Sequence, residues 1–330
     1  MESTTKLWHV ISLYLSTALA IFRNLLHLIL NINRTPFLTK SMDTLLSLYF
    51  RLCDLSPCAI DLDDKTTIHF WVPNHRRFHR PSLVMIHGYG GNSLWQFLYQ
   101  VGPLSRKFNV YIPDLLFFGK SYSKALERSE AFQAKCMVDG LQRLGVEKFS
   151  VYAISYGGFV AYKVAEMWAD AVEKVVIVSS GIVYTDEQRD EHLKKLGRHP
   201  SEILVPKNPV DLKLLVNLSM SKPTSLYEWI PDFLLREFIM MMYDHCRKEK
   251  VELAEHLVGK KAEPNLPVLT QETLLIWGDK DKVFPIELAH QLQRHLGSKS
   301  RLEILKNTGH AANMESPDAL NKLIISFVSN

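Results

Sequence analysis

A chain of 330 residues, 47% hydrophobic and 22% charged, has an ordinary globular balance and room for one large domain with an insertion or for two domains. A net charge of +4 is too mild to argue for nucleic acid, and the one basic run, residues 75–80, reads as a solvated connection between strands. The four cysteines, Cys53, Cys58, Cys136 and Cys246, have neither metal-ligand spacing nor disulfide density, and they fit a reducing compartment better than secretion.

In chain order, residues 7–22 carry no formal charge, and Arg23, Asn24 and His27 precede a short apolar run to Leu30. As a helix the uncharged stretch reaches about 24 Å, short of a roughly 30 Å hydrocarbon core. Extension to Leu30 would span it but would bury Arg23. His9, Ser12, Ser16, Arg23 and His27 fall on one helical stripe, and a mostly apolar helix with a narrow polar stripe suits a membrane surface. Three readings stay open. Residues 7–30 form a membrane anchor, a helix packed on the protein's own surface or over its active-site mouth, or a cleaved signal ending near Ala18-Leu19-Ala20. The first places the protein at a membrane, on the endoplasmic reticulum or its cytoplasmic face; the second allows a cytoplasmic location.

Residues 42–52 carry apolar positions at helical spacing. Residues 59–62 and 66–72 alternate as an antiparallel pair around the turn Asp63-Asp64-Lys65. From about residue 80, strands and helices alternate: strand 82–87, helix 94–101, strand 109–113, helix 129–144, strand 151–154, helix 159–168 and strand 174–179. After a long insertion come strand 273–277, helix 286–296, strand 301–305 and helix 316–328. This order predicts an α/β fold with a mostly parallel sheet covered by helices on both faces, and functional loops at the carboxyl ends of the strands. The insertion, residues 182–267, is helical in pattern and rich in large apolar residues, among them Leu215, Leu218, Phe238 and Met240 to Met242. Three consecutive methionines cannot all face the interior of a small cap, so a lid with adaptable apolar surface toward a pocket is expected. The expected organisation is an apolar N-terminal segment over 1–56, a core over 57–181 and 268–330, and a helical cap over 182–267.

The stretch Phe149 to Tyr162, FSVYAISYGGFVAY, passes from a buried strand straight into a helix at Ser155. Such a turn forces its apex residue to φ above zero and tolerates only small neighbours, here Ala153, Gly157 and Gly158. The serine hydroxyl then projects clear of the backbone, with the N–H of Tyr156 pointing into the same space. This is a G-x-S-x-G pattern with alanine in the first glycine position. A glycine-rich turn capped by Ser155 is the plainer alternative.

A neutral serine needs a base, a group that orients the base, and donors for an oxyanion. His310, in Asn307-Thr308-Gly309-His310, follows the last strand and is the candidate base. Asp281, in the loop after the penultimate strand, is the candidate acid. Asp279 is the rival, better suited to bracing its own turn, and Asp186 is a distant reserve. Tyr156 and Tyr89 supply the candidate oxyanion N–H groups, the latter within His87-Gly88-Tyr89-Gly90-Gly91, where glycines let backbone approach substrate. No phosphate-loop pattern occurs.

The chain order Ser155, Asp281, His310, with His87-Gly88, the segment 114–121 (DLLFFGKS) and Gly309-His310, resembles the alpha/beta-hydrolase superfamily from about Ala59 onward. Within it, the apolar N-terminus and helical cap are similar to membrane-bound monoacylglycerol lipases and to a set of plant hydrolases. The resemblance implies esterase or lipase chemistry on a lipophilic carboxylic ester, with Ser155, Asp281 and His310 catalytic and no metal or cofactor. It also leaves open a ligand receptor with a vestigial triad, or carbon–carbon hydrolysis or acyl transfer on the same scaffold. Aspartate at the elbow, as in epoxide and haloalkane hydrolases, is absent.

Overall fold

The structure, a computed structural model, describes residues 36–222 and 229–330 together with positions 19, 20 and 23. Apart from those three positions, the apolar segment 7–30 lies outside the described residues. No helix among the described residues is long and apolar enough to cross a membrane.

Helix α1 (Phe37–Leu52) leads into an antiparallel pair, β1 (Leu55–Asp61) and β2 (Thr66–Pro73). Then come β3 (Ser82–Ile86), the short helices α2 (Ser93–Gln96) and α3 (Val101–Ser105), β4 (Asn109–Pro113) and the two-residue β5 (Tyr122–Ser123). Helix α4 (Glu130–Arg143), β6 (Phe149–Ile154), α5 (Tyr156–Met167) and β7 (Val172–Val178) follow. The chain closes with β8 (Glu272–Gly278), α11 (Ile286–Leu296), β9 (Ser300–Leu305), α12 (Ala312–Glu315) and α13 (Pro317–Ser329). Between β7 and β8 lie α6 (Asp186–Leu196), α7 (Pro200–Leu204), α8 (Pro209–Ser219), α9 (Asp232–Ile239), a π turn (Met240–Asp244) and α10 (Arg247–Gly259).

The strands lie in the order β1-β2-β4-β3-β6-β7-β8-β9, with β5 paired to β2. From β4 to β9 every pairing is parallel. Side chains alternate across the sheet. Val84 and Ile86 pack with Met137, Leu141, Val160 and Val164 of α4 and α5. Leu83 and Met85 face the other way, toward Leu46 and Phe50 of α1 and Leu320 and Ile324 of α13. Strands buried on both faces explain the near-continuous apolar runs in β3, β6 and β7.

Beyond an earlier start of β1 at Leu55 and of α5 at Tyr156, and the unexpected short elements β5 and α12, two differences from the sequence expectation have a clear physical reason. The single helix expected over 94–101 is two short ones. Pro103 has no N–H to bond the carbonyl of Tyr99, and its ring would collide with that carbonyl in a continuous helix. The freed Tyr99 carbonyl accepts instead from Asn321 Nδ2 at 2.9 Å. Helix α1 begins at Phe37, five residues before the expected start at Met42. Its extra turn is capped from elsewhere in the chain: Glu237 Oε2 on α9 accepts from the amides of Leu38 (2.9 Å) and Thr39 (3.0 Å). That satisfies two of the unpaired donors at a helix start.

Candidate active site

Strand β6 is buried along its length, and the chain turns at its end without an intervening loop. Ser155 sits there at φ 56° and ψ −121°, the strained conformation that the turn demands. Its N–H donates to the Val178 carbonyl (2.9 Å), and its carbonyl accepts from Gly158 N–H (2.9 Å). The glycines behind it are sterically required. A Cβ on Gly157 would lie 2.5 Å from the Ile86 carbonyl oxygen and 2.6 Å from that of His87, and one on Gly158 would meet Ser180 at 2.6 Å. Close approach of α5 to the ends of β3 and β7 brings Ser155 up to the loop after β3.

The structure brings three of the sequence candidates into one hydrogen-bonded line. His310 Nε2 is 2.8 Å from Ser155 Oγ, and His310 Nδ1 is 3.0 Å from Asp281 Oδ2. An ionised carboxylate has no proton to give, so Nδ1–H donates to Asp281 and Nε2 is left to accept from the serine hydroxyl. The Asp281 side chain is fully buried, and its other oxygen accepts from the amides of Val283 and Phe284, both at 2.8 Å. Both oxygens of the carboxylate are therefore held by hydrogen bonds. The rivals are placed otherwise. Asp279 Oδ1 accepts from Thr308 N–H (3.2 Å) and braces the turn, while Asp186 bonds Ala262 N–H and Arg189 on the cap side.

Tyr89 and Tyr156 meet edge to face, their ring centroids 5.7 Å apart. Neither backbone N–H finds an acceptor among the described residues. A Cβ on Gly88 would come within 3.0 Å of Ser155 Cβ, which measures how near the loop passes to the serine. Gln96 holds this loop by both ends of its amide: Oε1 accepts from Gly88 N–H (2.8 Å) and Nε2 donates to the Gly88 carbonyl (2.9 Å). His87 anchors it from below. Its Nδ1–H donates to the Gly88 carbonyl (2.8 Å), and Nε2 accepts from Leu115 N–H (2.9 Å). That pattern is the neutral imidazole, and burial lowers its pKa in the same sense.

The segment 114–121 wraps around the buried Asp114. Burial alone would raise this carboxyl, but the hydrogen bond and charge of His69, with His87 and Ser93, bring it down to about 2. Its oxygens accept from His69 Nδ1 (2.9 Å), Ser93 Oγ (2.6 Å) and Lys120 N–H (3.2 Å). A Cβ on Gly119 would overlap the Asp114 carboxylate, so the glycine is obligatory.

Three supports were not legible as functional residues in the sequence, Gln96, Lys250 and Glu315, while Asp114 lay within the segment 114–121 without a role assigned to it. Glu315 is the clearest. Its carboxylate accepts from Gly309 N–H (2.5 Å), next to His310, and from the amide (2.9 Å) and hydroxyl (2.8 Å) of Ser221 in the cap. Ala311 N–H also donates to the Ser219 carbonyl (2.8 Å). The histidine loop is thus bolted to the end of α8. Lys250 is buried in the cap. It donates to the carbonyls of Met242 (2.9 Å) and His245 (2.5 Å), and its own carbonyl accepts from the Tyr89 hydroxyl. Burial pushes its ammonium down to about 8.

Ser155 and His310 open into a cavity of 210 Å³ beneath the cap. Phe159, Phe284, Leu193, Leu204, Leu215 and Leu218 are among the residues that line it. The cap contributes leucines rather than the methionine surface expected from the sequence. The π turn inserts an extra residue into the helix, and it turns Met242 and Tyr243 into the cap's own core with Val205, Leu212 and Ile239.

The chain is similar to known proteins over most of its length. A model of the alpha/beta hydrolase fold family matches residues 81–317. A 2-hydroxy-6-oxononadienedioate/2-hydroxy-6-oxononatrienedioate hydrolase from Pseudomonas sp. is 25% identical over 263 residues, covering 75% of this chain and 87% of the relative. Monoacylglycerol lipase ABHD6 from Homo sapiens is 26% identical over 264 residues, 76% of each chain. Among solved structures, a bacterial membrane phospholipase A superposes with a TM-score of 0.74 at 24% identity, covering 96% of this chain and 97% of that one. A 2-hydroxy-6-oxo-6-phenylhexa-2,4-dienoate hydrolase from Rhodococcus sp. superposes with a TM-score of 0.68 at 18% identity, covering 84% and 99%.

Proposed function

Because the chain belongs to the alpha/beta hydrolase fold family, we propose that it is a serine hydrolase that cleaves carboxylic esters of lipophilic substrates through an acyl-enzyme. The observation that carries this reading is the Ser155–His310–Asp281 line, at 2.8 and 3.0 Å, opening into an apolar cavity. His310 Nε2 takes the Ser155 proton as Oγ attacks the ester carbonyl. Asp281 holds the ring and stabilises the imidazolium. The N–H groups of Tyr89 and Tyr156 receive the developing oxyanion. His310 then protonates the departing alcohol, and afterwards it takes a proton from the water that releases the acid. Every step uses this chain's own groups and one water.

The apolar lining supports a fatty or aromatic acyl group, and the monoacylglycerol lipase relative supports a monoacylglycerol-like ester presented at a membrane, with residues 7–30 as the contact. A second reading, hydrolysis of a carbon–carbon bond, is supported by the Pseudomonas relative. Turnover of monoacylglycerols and p-nitrophenyl esters beside a 2-hydroxy-6-oxo-dienoate separates the two. Ser155→Ala should lower kcat on the preferred ester by about 10⁴-fold or more. An alanine variant with ordinary turnover, or many turnovers on the dienoate and none on esters, would overturn the ester reading.

A further inference from the structure

Helix α1 is amphipathic in an unusual way: it has two apolar faces. At about 100° per residue, the buried Thr39, Leu46 and Phe50 share one narrow arc pointing into the protein. Phe37, Leu38, Met42, Leu45, Leu48 and Leu52 occupy a separate arc of roughly 140°, and all six are exposed, from 46% at Met42 to 78% at Leu52. The third arc holds Lys40, Thr44 and Arg51. The only acidic residue of α1, Asp43, is turned inward, where it accepts from Trp95 Nε1 at 3.1 Å. The outward side is therefore an apolar stripe bordered by two basic side chains, with no exposed carboxylate on the helix. Arg106 adds a third positive charge within electrostatic reach of Tyr49 and Cys53, at its C-terminal end.

We propose that this outward face of α1 docks on a lipid bilayer. Six exposed large side chains on one helix side form a patch of the kind that marks an interaction surface. A bilayer fits better than a second protein for two reasons. Basic residues beside an apolar stripe match anionic headgroups above acyl chains. Residues 1–36, which precede α1, include the uncharged run 7–22, so apolar character recurs upstream of the face in the sequence. The helix is held rigidly for the task. Leu46 and Phe50 are packed in the core, and Glu237 of the cap accepts from the amides of Leu38 and Thr39 in the first turn of the helix. Docking through α1 would thus set the cap, and the cavity beneath it, at a fixed height over the membrane. That last step, delivery of a lipophilic ester from the bilayer, rests on the proposed ester hydrolysis; the docking surface does not.

The test is co-sedimentation of the full chain with sucrose-loaded vesicles of phosphatidylcholine, with and without phosphatidylserine. Wild type should bind, and more tightly with phosphatidylserine. Leu45→Glu combined with Leu48→Glu should lower the partition coefficient on the order of 100-fold. Lys40→Glu with Arg51→Glu should remove the phosphatidylserine increment. Fluorophosphonate labelling of Ser155 in solution should proceed in these variants as in wild type. The conservative Leu48→Trp adds an indole that brominated acyl chains should quench beyond the wild-type signal. Four results would overturn the proposal. They are no vesicle binding by wild type, unaltered partition of the double glutamate variant, no added quenching in Leu48→Trp, or a wild-type dimer that the glutamates dissociate. Failure of wild type to label would count against the ester hydrolase and leave the vesicle result to decide the surface.

Discussion

Replacing Gly157 by alanine tests whether backbone positioning, rather than the mere presence of three side chains, governs the site. The added Cβ would stand 2.5 Å from the Ile86 carbonyl oxygen and 2.6 Å from that of His87. An ordinary contact begins near 3.4 Å, so α5 and the end of β3 must separate by about 0.9 Å. Neither partner is a flexible side chain. The Ile86 carbonyl belongs to a strand paired to its neighbour as far as Ala153, and His87 is locked to Gly88 and Leu115. The strain should cost about 1–3 kcal/mol of unfolding free energy. The same shift moves the Tyr89 amide relative to Ser155, and a displacement near 1 Å at an oxyanion donor costs on the order of 100-fold in kcat. Urea unfolding and steady-state turnover of a p-nitrophenyl ester give the two numbers. A variant with wild-type unfolding midpoint and kcat within a few-fold of wild type would refute the claim that this close approach sets the oxyanion geometry.

Asp281→Asn should lower kcat about 10⁴-fold with little change in KM, whereas Asp279→Asn, which loses only a turn brace, should mainly lower stability; steady-state kinetics with urea melts separates them, and the reverse ranking would reassign the acid. Lys250 gives a pH prediction. Its folded-state pKa, about 8, lies below that of an unfolded lysine, so the folded protein binds this proton less tightly. Stability should therefore rise with pH between about 8 and about 10.4, by up to 1.4 kcal/mol per pH unit, and Lys250→Met should abolish that rise; an equal slope in both proteins would contradict the assignment.

Much of this molecule was legible because its signals are local. The run from Phe149 to Gly158 states a buried strand, a tight turn and a helix in ten residues, and each feature follows from residue size and shape alone. The alternation of strands and helices after residue 80 fixed the parallel sheet for the same reason. The proximity of Ser155 and His310, 155 residues apart, could be inferred only because both sit on loops at the same end of that sheet. What the sequence concealed acts across the fold. Glu315 looks like any helical glutamate until the cap places Ser221 against it, 94 residues away. Lys250 reads as one more lysine on a charged helix, yet it is buried, and it reaches Tyr89 through its carbonyl. The early start of α1 depends on Glu237, some 199 residues distant. The break between Gln96 and Val101, by contrast, was written locally, since Pro103 cannot bond the Tyr99 carbonyl one turn back.

The central claim is that Ser155 is a nucleophile activated by His310. Mass-spectrometric mapping of the fluorophosphonate adduct addresses it directly. A single adduct is expected on Ser155 in the wild-type chain, with labelling slowed by at least about 100-fold in His310→Ala. An adduct on another residue, or unaltered labelling of Ser155 without the imidazole, would contradict it.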